Sequence, residues 1–453
     1  MHIDFRIGMK DFTTGNGSRL ILNFALPMLL GNAFMQLYQF ADTVIVGQFL
    51  GKEALAAVGA STPVIFMVIS LVMGFGIGSS VVISQYFGAK QYDKVRITCD
   101  TLFICLIAAG AVVTLFGIFF SRNLLHLVGL PDEVLPLATE YLQIYFLGSI
   151  LLFGYNAVAA ILRGVGDSKT PLYFLLFSSV LNVGLDFLFI LSFGWGVAGA
   201  AWATIFSQGI AFILCVIYVN RKNMVVRIEL FRPKFDRTIF MQCLRLGLPT
   251  GLQQTFVGAG QLAMMGIVSR FGTDVVAAFS AVNRLDTFAS LPIMSFSAAL
   301  TSFVGQNIGV GQFDRIKRGL RSTLTMTLIS VILINVTMIV FAGPLVSIFT
   351  SDPTVIAYGK QCLVIMNSFY FIFGIMFTYN GLLRGAGAAV IPMLTTLLSL
   401  WLIRVPVASL LSDWFGPAGI WWAVPVGWFF GMVGSVIYYM TGKWKNKSVF
   451  QAD

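Results

Sequence analysis

Apolar residues run through this chain in long blocks separated by short polar breaks, and about 20 apolar residues suffice for one helix to cross the hydrocarbon core of a bilayer. Twelve blocks are long enough: 20–47, 54–83, 97–120, 137–162, 170–192, 197–220, 240–268, 275–303, 320–348, 355–382, 390–412 and 418–441. Each is read as one membrane-spanning helix. Several exceed the minimum, so tilt or overhang is expected. The residue-by-residue alternation of a transmembrane barrel does not run through them. The longest interior break, 221–239, leaves six blocks on either side.

Composition excludes the alternatives to that reading. Residues of the set AVILMFWYC make up 57% of the 453 positions and charged residues 11%, where a soluble domain carries about 25% charge. Disorder needs low hydrophobicity. The fold class is therefore an all-α polytopic membrane protein with membrane lipid as its surroundings.

The net charge of +10 is a topology signal. With the N-terminus in the cytoplasm, 22 of the 29 Lys and Arg residues fall in inner segments and four (Lys52, Arg122, Arg270 and Lys360) in outer ones. That bias places both termini in the cytoplasm. Because the basic residues lie between apolar blocks, not on one folded face, nucleic acid is not a partner. The cysteines (Cys99, Cys105, Cys215, Cys243 and Cys362) form no CxxC or metal spacing and are read as reduced packing residues. No short apolar core with a cleavage site opens the chain, so the first helix is expected to be retained.

The two halves repeat at an offset of about 221 residues. Gln85, Gly88, Gln91, Tyr92 and Asp93 return as Gln306, Gly309, Gln312, Phe313 and Asp314; Leu162-Arg163-Gly164 and Gly166 return as Leu383-Arg384-Gly385 and Gly387; Leu26-Pro27 returns as Leu248-Pro249. Six helices is an even number, so the halves enter the membrane from the same side as parallel repeats. The domain expectation is an N-lobe (1–220), a cytoplasmic linker (221–239) and a C-lobe (240–453). Parallel halves are one known plan for secondary transporters.

An ionisable residue inside a span costs a few kcal/mol and is a functional candidate by default. Three acids qualify: Asp42, Asp186 and Asp286. At about 1.5 Å rise per residue, Asp42, Asp186 and Thr204 each lie roughly 8–10 Å below the outer ends of their helices. Asn182 is i−4 from Asp186 and Tyr38 is i−4 from Asp42, so each pair shares a helix face. Asp42, Asn182, Asp186 and Thr204 form the candidate cation-coupling set. Their oxygens suit a hard cation such as sodium; the carboxyls can equally hold a proton. In the second half, Asp286 can be offset by Arg284 or Arg404. The two-residue spacing of Arg284 disfavours it, so Arg404 is the expected partner, in a structural or gating role. Pro27 removes a helix hydrogen bond, which permits either a hinge or a static kink. Gln36, Tyr38, Tyr141, Asn156, Gln253, Gln254 and Tyr379 are candidate substrate-cavity residues, aromatic and amide groups suited to flat apolar cations.

Other chemistry is missing. Gly164 to Thr170 approaches a phosphate loop but lacks Gly before Lys169, and no strand precedes it. Without a nucleotide-binding domain, a Ser–His arrangement or a His/Cys cluster, neither an enzyme nor a bound cofactor is expected.

The paired Gln-x-x-Gly-x-x-Gln-[Tyr/Phe]-Asp elements, the run Arg163-Gly164-x-Gly166-Asp167-x-x-Thr170-Pro171, and Ala41-Asp42-Thr43 resemble the multidrug and toxic compound extrusion (MATE) family over about residues 18–441. The resemblance implies twelve helices in two lobes and antiport of organic cations against sodium ions or protons. Asp42, Asn182, Asp186 and Thr204 match the N-lobe polar site of its DinF-like branch. Where the NorM-like branch carries a glutamate in span 7, this chain has Gln253, Gln254 and Gln261. The functional expectation is an exporter of amphipathic organic cations (drugs, dyes) in the bacterial inner membrane, working as a monomer. A flippase for lipid-linked precursors is the alternative.

Overall fold

The computed structural model describes residues 9–127, 130–222, 226, 228 and 233–451. Of the linker 221–239, residues 223–225, 227 and 229–232 lie outside the described residues, as does His2 at the N-terminus.

Every regular element among the described residues is helical. The first is a 72-residue run, Gly17–Gly88, broken at Gly51 into α1 (17–50) and α2 (52–88). There follow α3 (Tyr92–Leu127), α4 (Leu135–Leu147 and Ser149–Gly164), α5 (Lys169–Asp186, continuing as the π-turns Phe187–Ser192) and α6 (Gly196–Lys222). The second half contains α7 (Arg237–Val268), α8 (Thr273–Gly309), α9 (Phe313–Val340) and α10 (Pro353–Ser368 and Tyr370–Gly385). It ends with α11 (Val390–Leu397, the π segment Leu398–Arg404, then Val405–Phe415) and α12 (Pro417–Met440). Eight of these runs are long and apolar enough to cross a membrane, or ten if each bent pair counts as one span. The break at Gly51 divides one of them. The remaining helix, α7, is 32 residues long but carries Arg245, Gln253, Gln254 and Gln261, which lower its hydropathy. The architecture fits twelve helices in two sets of six.

The backbone repeats as the sequence does. Gly51 (φ 85°, ψ −174°) breaks the chain between α1 and α2, and Gly272 (φ 91°, ψ 177°) does so between α7 and α8, 221 residues later. That region of backbone space is essentially restricted to glycine, so the two turns depend on it. The 50° bends in α4 and α10 fall after Leu147 and Ser368, again 221 residues apart. Helix α1 remains helical through Pro27.

Two compact units arise. One joins the stretch ending at Asp11 to Pro27–Gly251; the other joins Phe12–Leu26 to Leu252–Asp453. In the first, α2 crosses the opening of α7 backbone to backbone. A Cβ added to Gly74 would collide with Gly251, and one added to Gly78 with Gly247. Both helices thus present the small-x-x-x-small spacing that brings helix axes together in lipid. In the second unit, the segment before α1 is tied to α8 and α9. The Phe12 N–H donates to Gln306 Oε1 (2.8 Å), and Arg315 donates to the carbonyls of Phe12, Thr14 and Gly15. The core of this unit is aromatic, with Phe279 stacked on Trp421 at 5.7 Å and Tyr370 edge-on to Trp428 at 5.5 Å.

Candidate functional site

Three helices of the first unit bring Asp42 (α1), Asn182 and Asp186 (α5) and Thr204 (α6) to one level. Asp186 and Asn182 are fully buried and Thr204 nearly so. Asp42 is half-buried. Thr204 organises the polar layer. Its hydroxyl donates to the Ala200 carbonyl (3.2 Å) and accepts from Asn182 Nδ2 (3.4 Å). With that proton committed, the 3.4 Å contact to Tyr38 is made by the tyrosine hydroxyl donating. Tyr38, Tyr141 and Tyr145 all stand close to Asp42, and the Tyr141 and Tyr145 rings lie 6.3 Å apart.

The Asp42 and Asp186 carboxyls sit side by side, within reach of a shared hydrogen bond. Ionised carboxylates only accept, so that contact requires a proton or cation between them. Consistent with this, Asp42 Oδ1, both Asp186 oxygens and Asn182 Oδ1 are buried without a donor. All four orphaned atoms are acceptors, and the site is short of positive charge. No cluster of three or more His, Cys, Asp and Glu residues occurs among the described residues. The donor set is carboxylate, amide and hydroxyl oxygen, which matches a small hard monovalent ion or a proton better than a transition metal.

One turn away from this layer, toward the Gly51 end, the same helices supply an apolar one. Val46 is i+4 from Asp42, Ile190 is i+4 from Asp186 and Ala200 is i−4 from Thr204. All three are buried in one cluster with Ile45, Tyr141 and Val197. The polar oxygens are therefore capped by hydrocarbon on that side.

The other sequence candidates are dispersed. Asn156 spends its amide on the Leu152 carbonyl of its own helix (2.8 Å). Gln36 and Gln254 are half-buried. Tyr379 packs edge-on against Tyr439 at 5.2 Å in the second unit, and Tyr439 stacks on Trp444. In the second unit, Gln253 donates to Thr396 Oγ1 (2.8 Å) and accepts from Arg384 (3.1 Å). Asp286 neighbours Tyr370 and Arg404, and Arg404 makes no direct ion pair with it among the described residues. Arg284 is exposed.

Two features escaped the sequence reading. Tyr145 lies i+4 from Tyr141, a spacing that could have revealed it. Arg384, which the repeat pairs with Arg163, bonds to Gln253 within the second unit, a contact its position in the sequence did not signal.

A duplicated set of long apolar helices, with a buried, donorless acid layer inside the first unit, is the plan of a membrane transporter. The chain belongs to the MatE family, whose model matches residues 27–188 and again 249–410, once in each half. It is 36% identical to the probable multidrug resistance protein YpnP of Bacillus subtilis, over 97% of this chain and 98% of the relative. It is 29% identical to the probable multidrug resistance protein NorM of Thermotoga maritima, over 95% and 93% of the two chains. The crystal structure of an Asp-to-Asn mutant of the Vibrio cholerae MATE transporter VcmN superposes with a TM-score of 0.90 at 22% identity, over 96% of this chain and 99% of that one.

Proposed function

We propose that the protein is a cation-coupled antiporter of the bacterial inner membrane, with both termini cytoplasmic, that works as a monomer and exports amphipathic organic cations. The observation that carries this reading is the set of four buried, donorless oxygens on Asp42, Asn182 and Asp186. A proton or sodium ion supplies what they lack and is the coupling ion. It enters from the side of the Gly51 end, past the apolar layer of Val46, Ile190 and Ala200. An organic cation draws on the same negative charge, and Tyr38, Tyr141 and Tyr145 offer it ring faces. Only one positive species satisfies the layer at a time, so loading the ion displaces the drug. The multidrug names of the relatives support the substrate class, and the Lys and Arg distribution supports the orientation.

The test is uptake of a fluorescent cationic dye into everted vesicles under an imposed proton or sodium gradient. Wild-type protein is expected to accumulate dye with one of the two gradients. Asp42→Asn and Asp186→Asn are expected to abolish accumulation while reaching the membrane normally. Wild-type rates in both variants would overturn the assignment.

A further inference from the structure

A polar cavity lies in the second unit, outside the acid layer. It has a volume of about 410 Å³, and its walls are the start of α1 (Gly17, Ser18) and the first turns of α9 (Arg315, Arg318, Arg321, Ser322). The Ser18 and Ser322 hydroxyls join the walls at 2.7 Å. Arg315 is committed to three backbone carbonyls and holds the segment before α1 in place as one wall. Asp314, the nearby acid on α9, pairs instead with Lys317 at 3.1 Å. Arg318 and Arg321 are exposed and have no carboxylate partner among the described residues. The first turn of α1 adds the positive end of a long helix.

What stands above the cavity identifies its occupant. From Arg318 and Arg321 the same face of α9 continues through Ile329, Ile332, Val336 and Val340, all exposed apolar residues. Only 17% of this helix's most apolar window is buried. A helix with so bare a flank faces acyl chains along most of its length. Paired arginines at the foot of such a stripe sit at headgroup depth, where a phosphate is the natural counterion.

We propose that this cavity is a binding site for the phosphodiester headgroup of an anionic phospholipid. Its acyl chains lie along the Ile329–Val340 face, and it is drawn from the leaflet on the basic side of the protein. The naming of that leaflet as cytoplasmic rests on the orientation proposed above; the site itself does not. A headgroup seated there touches both α1 and α9, fastening the start of the helix that carries Asp42.

The test uses full-length protein in nonionic detergent, read by native mass spectrometry. Dioleoylphosphatidylglycerol, dioleoylphosphatidylcholine and inorganic phosphate are titrated in separate arms. One phosphatidylglycerol is expected to bind tightly. Its affinity should fall about thirtyfold in the Arg318→Gln/Arg321→Gln double variant, the loss for two interfacial arginines. Lys52→Gln/Arg122→Gln, which removes two cations elsewhere, should leave it unchanged. If the double variant fails to fold, Ser322→Met, which fills the cavity without altering charge, carries the same expectation. Undiminished phosphatidylglycerol binding in a folded variant would overturn the proposal. So would phosphatidylcholine binding equally well. Inorganic phosphate binding as tightly as the lipid would reassign the site to a soluble anion. Dye transport is not part of the readout, so failure here is separable from failure of the antiport reading.

Discussion

Replacing Asp186 with Asn should remove transport and raise stability together. In the cation-free protein, four buried oxygens lack donors, and each such group costs about 1–3 kcal/mol. The substitution removes one of these acceptors and introduces an amide with two N–H groups. Its neighbour Asp42, and Asn182 Oδ1 one turn back on the same helix face, are acceptors without a donor. Two new hydrogen bonds at about 1–1.5 kcal/mol each stabilise the variant by about 2–3 kcal/mol. At about 2 °C per kcal/mol for a large domain, the unfolding temperature in buffer lacking the coupling cation should rise by about 5 °C. Wild-type protein should gain stability when that cation is added, by about 2.7 kcal/mol at a hundred times its Kd. The variant should gain far less. Thermal unfolding of purified protein with and without sodium, at high and low pH, measures both quantities, and dye efflux from cells measures transport. A cation-free variant less stable than wild type would refute the reasoning. So would an undiminished cation-induced shift, or intact efflux.

Further outcomes follow from the packing. Gly78→Leu would drive a side chain into the backbone of Gly247 and Cys243, and is expected to cost more than about 3 kcal/mol. Gly59→Ala, where nothing lies within 4 Å of an added Cβ, should be neutral, and size-exclusion profiles after heating would distinguish the two. Gly272→Ala forces a side chain onto φ 91° and should lower stability by about 1–3 kcal/mol, as should Gly51→Ala at the repeated turn, both read by thermal unfolding. Gln253→Leu leaves Arg384 without the acceptor it now has at 3.1 Å. It is expected to destabilise by about 1–3 kcal/mol, and Arg384→Met added to it should recover part of that loss in a double-mutant cycle.

The helices were legible because hydropathy and length are strong signals, and the duplication was legible because Gly, Pro and Arg recur at one spacing. Repetition also supports α7, whose glutamines and arginine keep it below the hydropathy expected of a span. The 50° bends after Leu147 and Ser368 left only a faint trace: no proline marks either, and the small polar pairs Gly148-Ser149 and Asn367-Ser368 are common enough inside apolar runs to pass unnoticed. Asp42, Asn182, Asp186 and Thr204 could be grouped beforehand because acids in hydrocarbon are rare, and helical rise converts their positions into depth. The apolar layer of Val46, Ile190 and Ala200 could not, since Val, Ile and Ala are ordinary everywhere in such a chain. Which of them meet depends on how the helices are rotated about their axes. Asn156, Gln254 and Tyr379 show the same limit from the other side, because polarity inside a span does not reveal which neighbour a side chain will find.

The way the compact units share the chain bears on biogenesis. The first unit includes residues up to Gly251, and the second reaches back to claim Phe12–Leu26. During synthesis the earlier bundle stays incomplete until the ribosome has passed the linker and the opening of α7 has arrived to meet Gly74 and Gly78. The segment at Phe12 must wait longer still, until Gln306 and Arg315 have been made. Neither half is a finished product that could be released alone, so severing the gene between them should yield two fragments that mature only when produced together.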